Sequence, residues 1–128
     1  MVGTREKTKL TGWHRENPKA FIGSFSEAAT FGEVVVLAVK GLAAADALRS
    51  AGSDNLSRKP VIDATNPIAD SPPTHGVLGF FTSYDESLMG RLQREFSGAH
   101  FVKAFSSVGN RQFNPQYKAG ADHIHLWQ

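Results

Sequence analysis

A doubly wound α/β domain on a parallel sheet is the fold this sequence predicts, and three observations predict it. Short β-branched runs alternate with longer amphipathic stretches, the imprint of βαβ crossovers. Residues 34–39, Val-Val-Val-Leu-Ala-Val, are an unbroken apolar run between Gly32 and Gly41, as in a parallel strand covered on both faces. The apolar runs end in glycine or polar residues, where such sheets bind their ligands.

In order, residues 1–4 read as the end of a strand and residues 7–15 as a weak helix interrupted by Gly12. Phe21 and Ile22 suggest a brief strand. Ser24 precedes Glu27 by three residues, the capping-box spacing, which predicts a helix over 25–31 ended by Gly32. After the strand at 34–39, the alanine-rich residues 42–51 favour helix. Residues 60–65 read as a second buried strand, stopped by Asn66-Pro67. Residues 67–82 carry three prolines and two glycines and read as a long loop. Ser83 and Glu86 repeat the capping-box spacing. Tyr84, Leu88, Leu92 and Phe96 then share one helix face, and Gly98 closes that helix. Residues 99–105 supply a third buried strand.

The chain of 128 residues is long enough for one domain with a core. Hydrophobic content of 41% and charged content of 20% describe a soluble globular protein. There is no cysteine, which excludes disulfides, thiolate metal sites and cysteine nucleophiles and fits a reducing, cytoplasmic setting. No run approaches the ~20 apolar residues of a membrane span. Fourteen Lys and Arg face 12 Asp and Glu, a net charge of +2, without the basic stripe of a nucleic-acid binder. His123 and His125 would face one side of a strand but have no third ligand nearby, so no metal site is expected.

Candidate chemistry lies at the strand ends: Gly3-Thr4-Arg5, Val39-Lys40-Gly41, Asp63-Ala64-Thr65-Asn66-Pro67 and Lys103-Ala104-Phe105-Ser106-Ser107. An adenosine ribose with a free 2′-hydroxyl calls for Asp or Glu at the end of the second strand, whereas a 2′-phosphate calls for cationic and hydroxyl donors. Thr4, Arg5 and Lys9 supply those donors, with Arg5 and Lys9 one helical turn apart, although Glu6 follows Arg5. The pattern favours NADP over NAD. Arg5 and Lys9 also suit an ordinary solvated helix start, Asn66-Pro67 a plain strand stop, and Asp63 the satisfaction of loop amides. Lys103 suits a snorkelling strand end, and His75 an exposed loop.

The runs Val2-Gly3-Thr4-Arg5, Gly23-Ser24-Phe25-Ser26-Glu27-Ala28-Ala29, residues 34–39, Val61-Ile62-Asp63-Ala64-Thr65-Asn66-Pro67 and Val102-Lys103-Ala104-Phe105 together resemble a known family. It is that of the NADP oxidoreductases dependent on the deazaflavin coenzyme F-420, relatives of the N-terminal domain of pyrroline-5-carboxylate reductases. The likeness runs over roughly residues 1–120 and implies a Rossmann-like fold. By that resemblance Gly3, Thr4, Arg5 and Lys9 lie at the 2′-phosphate. Val39 and Lys40 pass the ribose and pyrophosphate, and Asn66, Pro67, Ala104 and Phe105 border the nicotinamide. The implied reaction is hydride transfer between NADPH and a deazaflavin, which asks for two stacked, dry rings rather than a general acid or base.

A dinucleotide fold carries Gly-x-Gly-x-x-Gly after its first strand, and no Gly-x-Gly occurs in this chain. The expectation is therefore a partial NADP-binding domain over 1–120, N-terminally truncated and lacking its first strand and glycine loop. Because that strand sits mid-sheet, exposed sheet edges and self-association are expected. Residues 110–115 look altered. Residues 121–128 read as an aberrant, frameshifted tail, since codons for them shifted by one base give an apolar strand. Turnover by such a chain is doubtful. The rival readings are an inactive interaction or pseudo-enzyme module, and a related reductase of an imine or metal chelate.

Overall fold

Two short parallel sheets carry the fold, in a computed structural model that describes residues 1–108. The expectations for residues 110–115, for His123 and His125, and for the tail at 121–128 lie outside the described residues. The first sheet pairs β1 (Val2–Gly3) with β2 (Ile22–Gly23). The second has the order β3 (Val35–Leu37), β4 (Pro60–Asp63), β5 (His100–Lys103). Every pairing is parallel, so each connection carries helix. A 3-10 turn at Lys7–Leu10 and α1 (Thr11–Glu16) join β1 to β2, and α2 (Phe25–Phe31) joins β2 to β3. The helices α3 (Ala44–Ala51) and α4 (Ser53–Leu56) join β3 to β4, and α5 (Leu88–Glu95) precedes β5. The architecture is the Rossmann-like α/β fold that the sequence predicts.

Ser24 caps α2 as its spacing requires. The Glu27 N–H donates to Ser24 Oγ (3.1 Å), and the Ser24 N–H donates to Glu27 Oε2 (2.6 Å). The second capping box does not form at Ser83. The helix starts later, with Ser87 Oγ accepting from the Gly90 N–H at 3.0 Å. Glu86 instead binds Arg91 and Arg94 on the helix surface, and Tyr84 stands fully exposed. A serine already offering its hydroxyl one turn nearer the apolar face ends the competition.

The stretch at 67–82 is more ordered than a long loop. Ile68 bridges Phe80 and Thr74 bridges Val77, both antiparallel. Thr74 and Val77 exchange two backbone bonds of 3.0 and 2.9 Å. Between them His75 (φ 51°) and Gly76 (φ 79°) both take positive φ, the geometry of a type I′ hairpin turn. His75 is thus an exposed tip residue.

The core lies on one face of the three-stranded sheet, where Leu37 and Val61 meet Leu48, Leu56, Leu92 and Phe96. The other face is bare, a correction to the both-face burial expected of residues 34–39 and 99–105. Val36, Ile62 and Val102 form one row by register, and Val36 and Val102 are 57% and 53% exposed. Among the described residues no helix covers that row.

An apolar cleft of about 390 Å³ separates the two sheets, lined by residues 1–3 on one side and 34–39 on the other. The Val2 and Thr4 N–H groups donate to the Phe21 and Gly23 carbonyls (2.7 and 2.9 Å), and the Ala64 N–H donates to the Leu37 carbonyl (3.0 Å). By strand alternation the backbone groups of Gly3 and Val36 point into the cleft. The β1–β2 ribbon joins the rest through α2, against which Gly3 packs so closely that a Cβ there would sit 3.0 Å from that of Ala28. Among the described residues, no helix is long and apolar enough to cross a membrane.

Candidate functional site

Two clefts open at the carboxyl ends of the strands, and Val39 lines both. The first, about 530 Å³, is walled by Gly3, Thr4 and Arg5 from the end of β1, Glu6 and Lys9 from the turn beyond it, and Phe25 of α2. Arg5 and Lys9, which sequence spacing alone could not place, therefore face one cleft. Glu27 helps to fix this wall. Besides capping α2 it holds Lys7 Nζ at 3.3 Å, anchoring the 3-10 turn that carries Lys9. The Glu27 carboxyl is held below the usual range, first by the Ser24 N–H and then by Lys7.

Within this cleft the donors are unequally engaged. Thr4 Oγ1 accepts from the Glu6 N–H (3.1 Å) and donates to the Glu6 carbonyl (3.2 Å). Lys9 Nζ lies 2.8 Å from Glu6 Oε2. Arg5 is exposed and has no ion-pair partner among the described residues. A guanidinium, an ammonium and a hydroxyl around one opening suit a phosphate dianion. Sequence reasoning passed over Glu6 as a wall residue, although its place between Arg5 and Lys9 was the available signal.

The second cleft, about 360 Å³, is formed by residues 39–42, 64–66 and 68–70. Val39, Lys40 and Asn66 meet here. Gly41 is required by close approach, since a Cβ at this position would overlap the Asn66 carbonyl. That contact is backbone against backbone, so no rotamer change relieves it. Gly41 lies in the strand-end run Val39-Lys40-Gly41 that the sequence marks for ligands, whereas sequence reasoning did not single out the hairpin residues Ile68 and Asp70 that close the cleft.

Behind this cleft Asp63 is fully buried with all its acceptors answered. Its Oδ1 takes the Thr65 N–H (2.9 Å) and the Thr65 hydroxyl (2.6 Å), and its Oδ2 takes Lys103 Nζ at 3.1 Å. Lys103 Nζ also donates to the Thr65 carbonyl. The pair fixes the turn leading into Asn66. Lys103 is drawn inward onto Asp63, rather than extended into water as a snorkelling end would be. Three of the expected site residues line neither cleft: Pro67, Ala104 and Phe105. The Pro67 carbonyl accepts from Phe81 N–H (2.9 Å), and Ala104 N–H donates to the Asp63 carbonyl (3.1 Å). Phe105 takes a positive φ of 66° where the chain turns away from β5.

Residues 1–67 match the family model described as NADP oxidoreductase coenzyme F420-dependent. A crystal structure from Arthrobacter sp. FB24, provisionally described as an F420-dependent NADP-reductase, superposes with a TM-score of 0.73 and 31% identity. The match covers 80% of this chain and 49% of that one, so this chain spans about half the length of that structure. No curated protein matches the chain. The family match takes in β1, β3 and β4, whose carboxyl ends build both clefts, and extends over 67 of the 128 residues. The chain therefore belongs to the family of coenzyme F420-dependent NADP oxidoreductases.

Proposed function

We propose that this chain binds NADP(H) across the two clefts and serves hydride transfer to or from a deazaflavin, the coenzyme F-420 of its family. The observation that carries the reading is the convergence of Thr4, Arg5 and Lys9 on one opening at the end of β1. The 2′-phosphate is held there, opposite Phe25. Val39 and Lys40 guide the ribose and pyrophosphate, and the nicotinamide end lies toward Asn66 in the second cleft. When bound, the nicotinamide supplies the hydride chemistry itself. The chain's part is to bind, orient and exclude water, with no general acid or base of its own. The Asp63–Lys103 anchor and the Gly41 contact keep the Asn66 turn in register.

Titration of the chain with NADPH, followed by nucleotide fluorescence, tests this reading. Saturation at a Kd on the order of 1–100 μM, with NADH at least about tenfold weaker, is the expected result for a site built on charge-assisted phosphate contacts. No saturation up to the millimolar range defeats it. Assaying hydride transfer to a deazaflavin against an imine or a metal chelate separates the family's reaction from the related reductases.

A second reading, an interaction module that associates through its sheet edges, is favoured by one observation. The inter-sheet cleft presents unpaired backbone and apolar side chains from both β1 and β3. Association of copies without nucleotide saturation is its signature.

A further inference from the structure

The Arg5 cleft holds a carboxylate at the place where a phosphate is expected. Glu6 Oε2 lies 2.8 Å from Lys9 Nζ, and Glu6 Oε1 accepts from the Thr8 hydroxyl at 3.1 Å. The Thr4 hydroxyl is tied to the Glu6 backbone on both its donor and acceptor sides. Two of the three groups suited to a phosphate are thus already answered by one residue, and Arg5 alone stays unengaged among the described residues. Carboxylates and phosphates use the same donors. A carboxylate at this strand end is also the group that accepts from an unphosphorylated ribose 2′-hydroxyl.

We infer that Glu6 sets how strongly this site discriminates 2′-phosphorylated from unphosphorylated adenosine nucleotides. It does so by occupying Lys9 until a phosphate displaces it. The inference rests on the NADP reading and deepens it. With no phosphate present, Glu6 neutralises one of the two cations. When the 2′-phosphate arrives, Lys9 exchanges partners and the Glu6 carboxylate has to swing into water. Its side chain is 54% exposed and that of Lys9 75%, so the exchange needs no backbone movement and its penalty is small. A nucleotide with only a 2′-hydroxyl leaves the Glu6–Lys9 pair intact and accepts no such penalty. The residue therefore narrows the preference that Arg5 and Lys9 would otherwise give.

The test uses two ligands that differ only at the 2′ position, adenosine 2′,5′-bisphosphate and adenosine 5′-monophosphate. Each is titrated into the full chain while amide NMR shifts of Thr4, Arg5 and Lys9 are followed. For Glu6→Gln, binding of the bisphosphate is expected to tighten by about two- to fivefold, the range for an exposed ion pair removed. The monophosphate is expected to change less or to weaken. Glu33→Gln makes the same charge change before β3, at the opposite end of that strand, and should leave both ligands unaltered. Equal tightening of both ligands by Glu6→Gln would mean a general charge effect and overturns the inference. Unchanged or weaker bisphosphate binding overturns it as well. If the wild type prefers the bisphosphate but Glu6→Gln does not sharpen that preference, only the inference fails. If no variant binds either ligand, the inference and the NADP reading fail together.

Discussion

Asp63 has no exposure to water, so its charge depends on Lys103 and Thr65 for every interaction that solvent would have supplied. Removing the cation leaves a buried carboxylate unpaired. Lys103→Met is expected to destabilise the chain by about 2–3 kcal/mol, below the range for a wholly buried pair because Lys103 is partly solvated. Urea denaturation checks this, and Lys103→Arg should recover part of the loss. A Lys103→Met chain as stable as wild type would show that Asp63 relaxes toward water, and the anchor would then have no part in shaping the Asn66 turn. The sequence displayed Asp63, Thr65 and Lys103 as three separate polar residues. Their union required the parallel register that sets Asp63 opposite Lys103.

At the scale of elements, α2 connects cap, cleft and sheet. Ser24→Ala removes the hydroxyl that accepts the Glu27 N–H and is expected to lower stability by about 1 kcal/mol, read from thermal unfolding. It should also loosen the turn that Lys7 ties to Glu27. The Glu27 carboxyl is depressed by the Ser24 N–H and then Lys7, and that of Glu86 chiefly by its bond from Arg91. Both therefore stay ionised in the folded chain at pH values where the unfolded chain takes up protons. Their contribution is whole above the ordinary carboxylate value of about 4.3 and is lost as pH falls through the lower folded values. The share of thermal stability due to these two carboxylates should be constant above about pH 5 and fall below about pH 4, so that the acid fall is shallower for Glu27→Gln. An equally steep fall for that variant would remove Glu27 as a cause. The Ser24–Glu27 signal was legible because a capping box is complete within four residues. The Ser83–Glu86 spacing was equally legible but misleading, because Ser87 caps better and the sequence does not rank the two. The hairpin at 67–81 escaped notice because His75-Gly76 is a weaker turn signal than Asn-Gly, its conformation being fixed by the pairing of Thr74 with Val77.

For the molecule as a whole, the decisive feature is a sheet in two pieces with one bare face. Full burial of a valine or isoleucine side chain is worth about 1.5–3 kcal/mol, and Val36, Ile62 and Val102 are left short of that on the uncovered side. The open backbone edges on either side of the inter-sheet cleft add unpaired donors and acceptors. Sedimentation velocity over a concentration series is therefore expected to show self-association, reduced by Val36→Lys, which places a charge on the open edge. A chain that stays monomeric at every concentration, with a single cooperative unfolding transition, would refute this.

The sequence by itself determined the parallel strands and the helices between them in their order, the strand ends at which ligands are expected, and the family, because hydrophobic period, caps and turn residues act over a few positions. Open sheet edges were an expectation drawn from the absence of a Gly-x-Gly run. Only the tertiary structure decided which strands are neighbours, that Arg5 and Lys9 share a cleft with Glu6 between them, and that Lys103 closes on Asp63. It also decided that Val39 stands where the two clefts meet, and which face of the sheet is left open. These are contacts between residues far apart in the chain, or choices among rotamers and partners. They depend on register and packing, which no local pattern encodes.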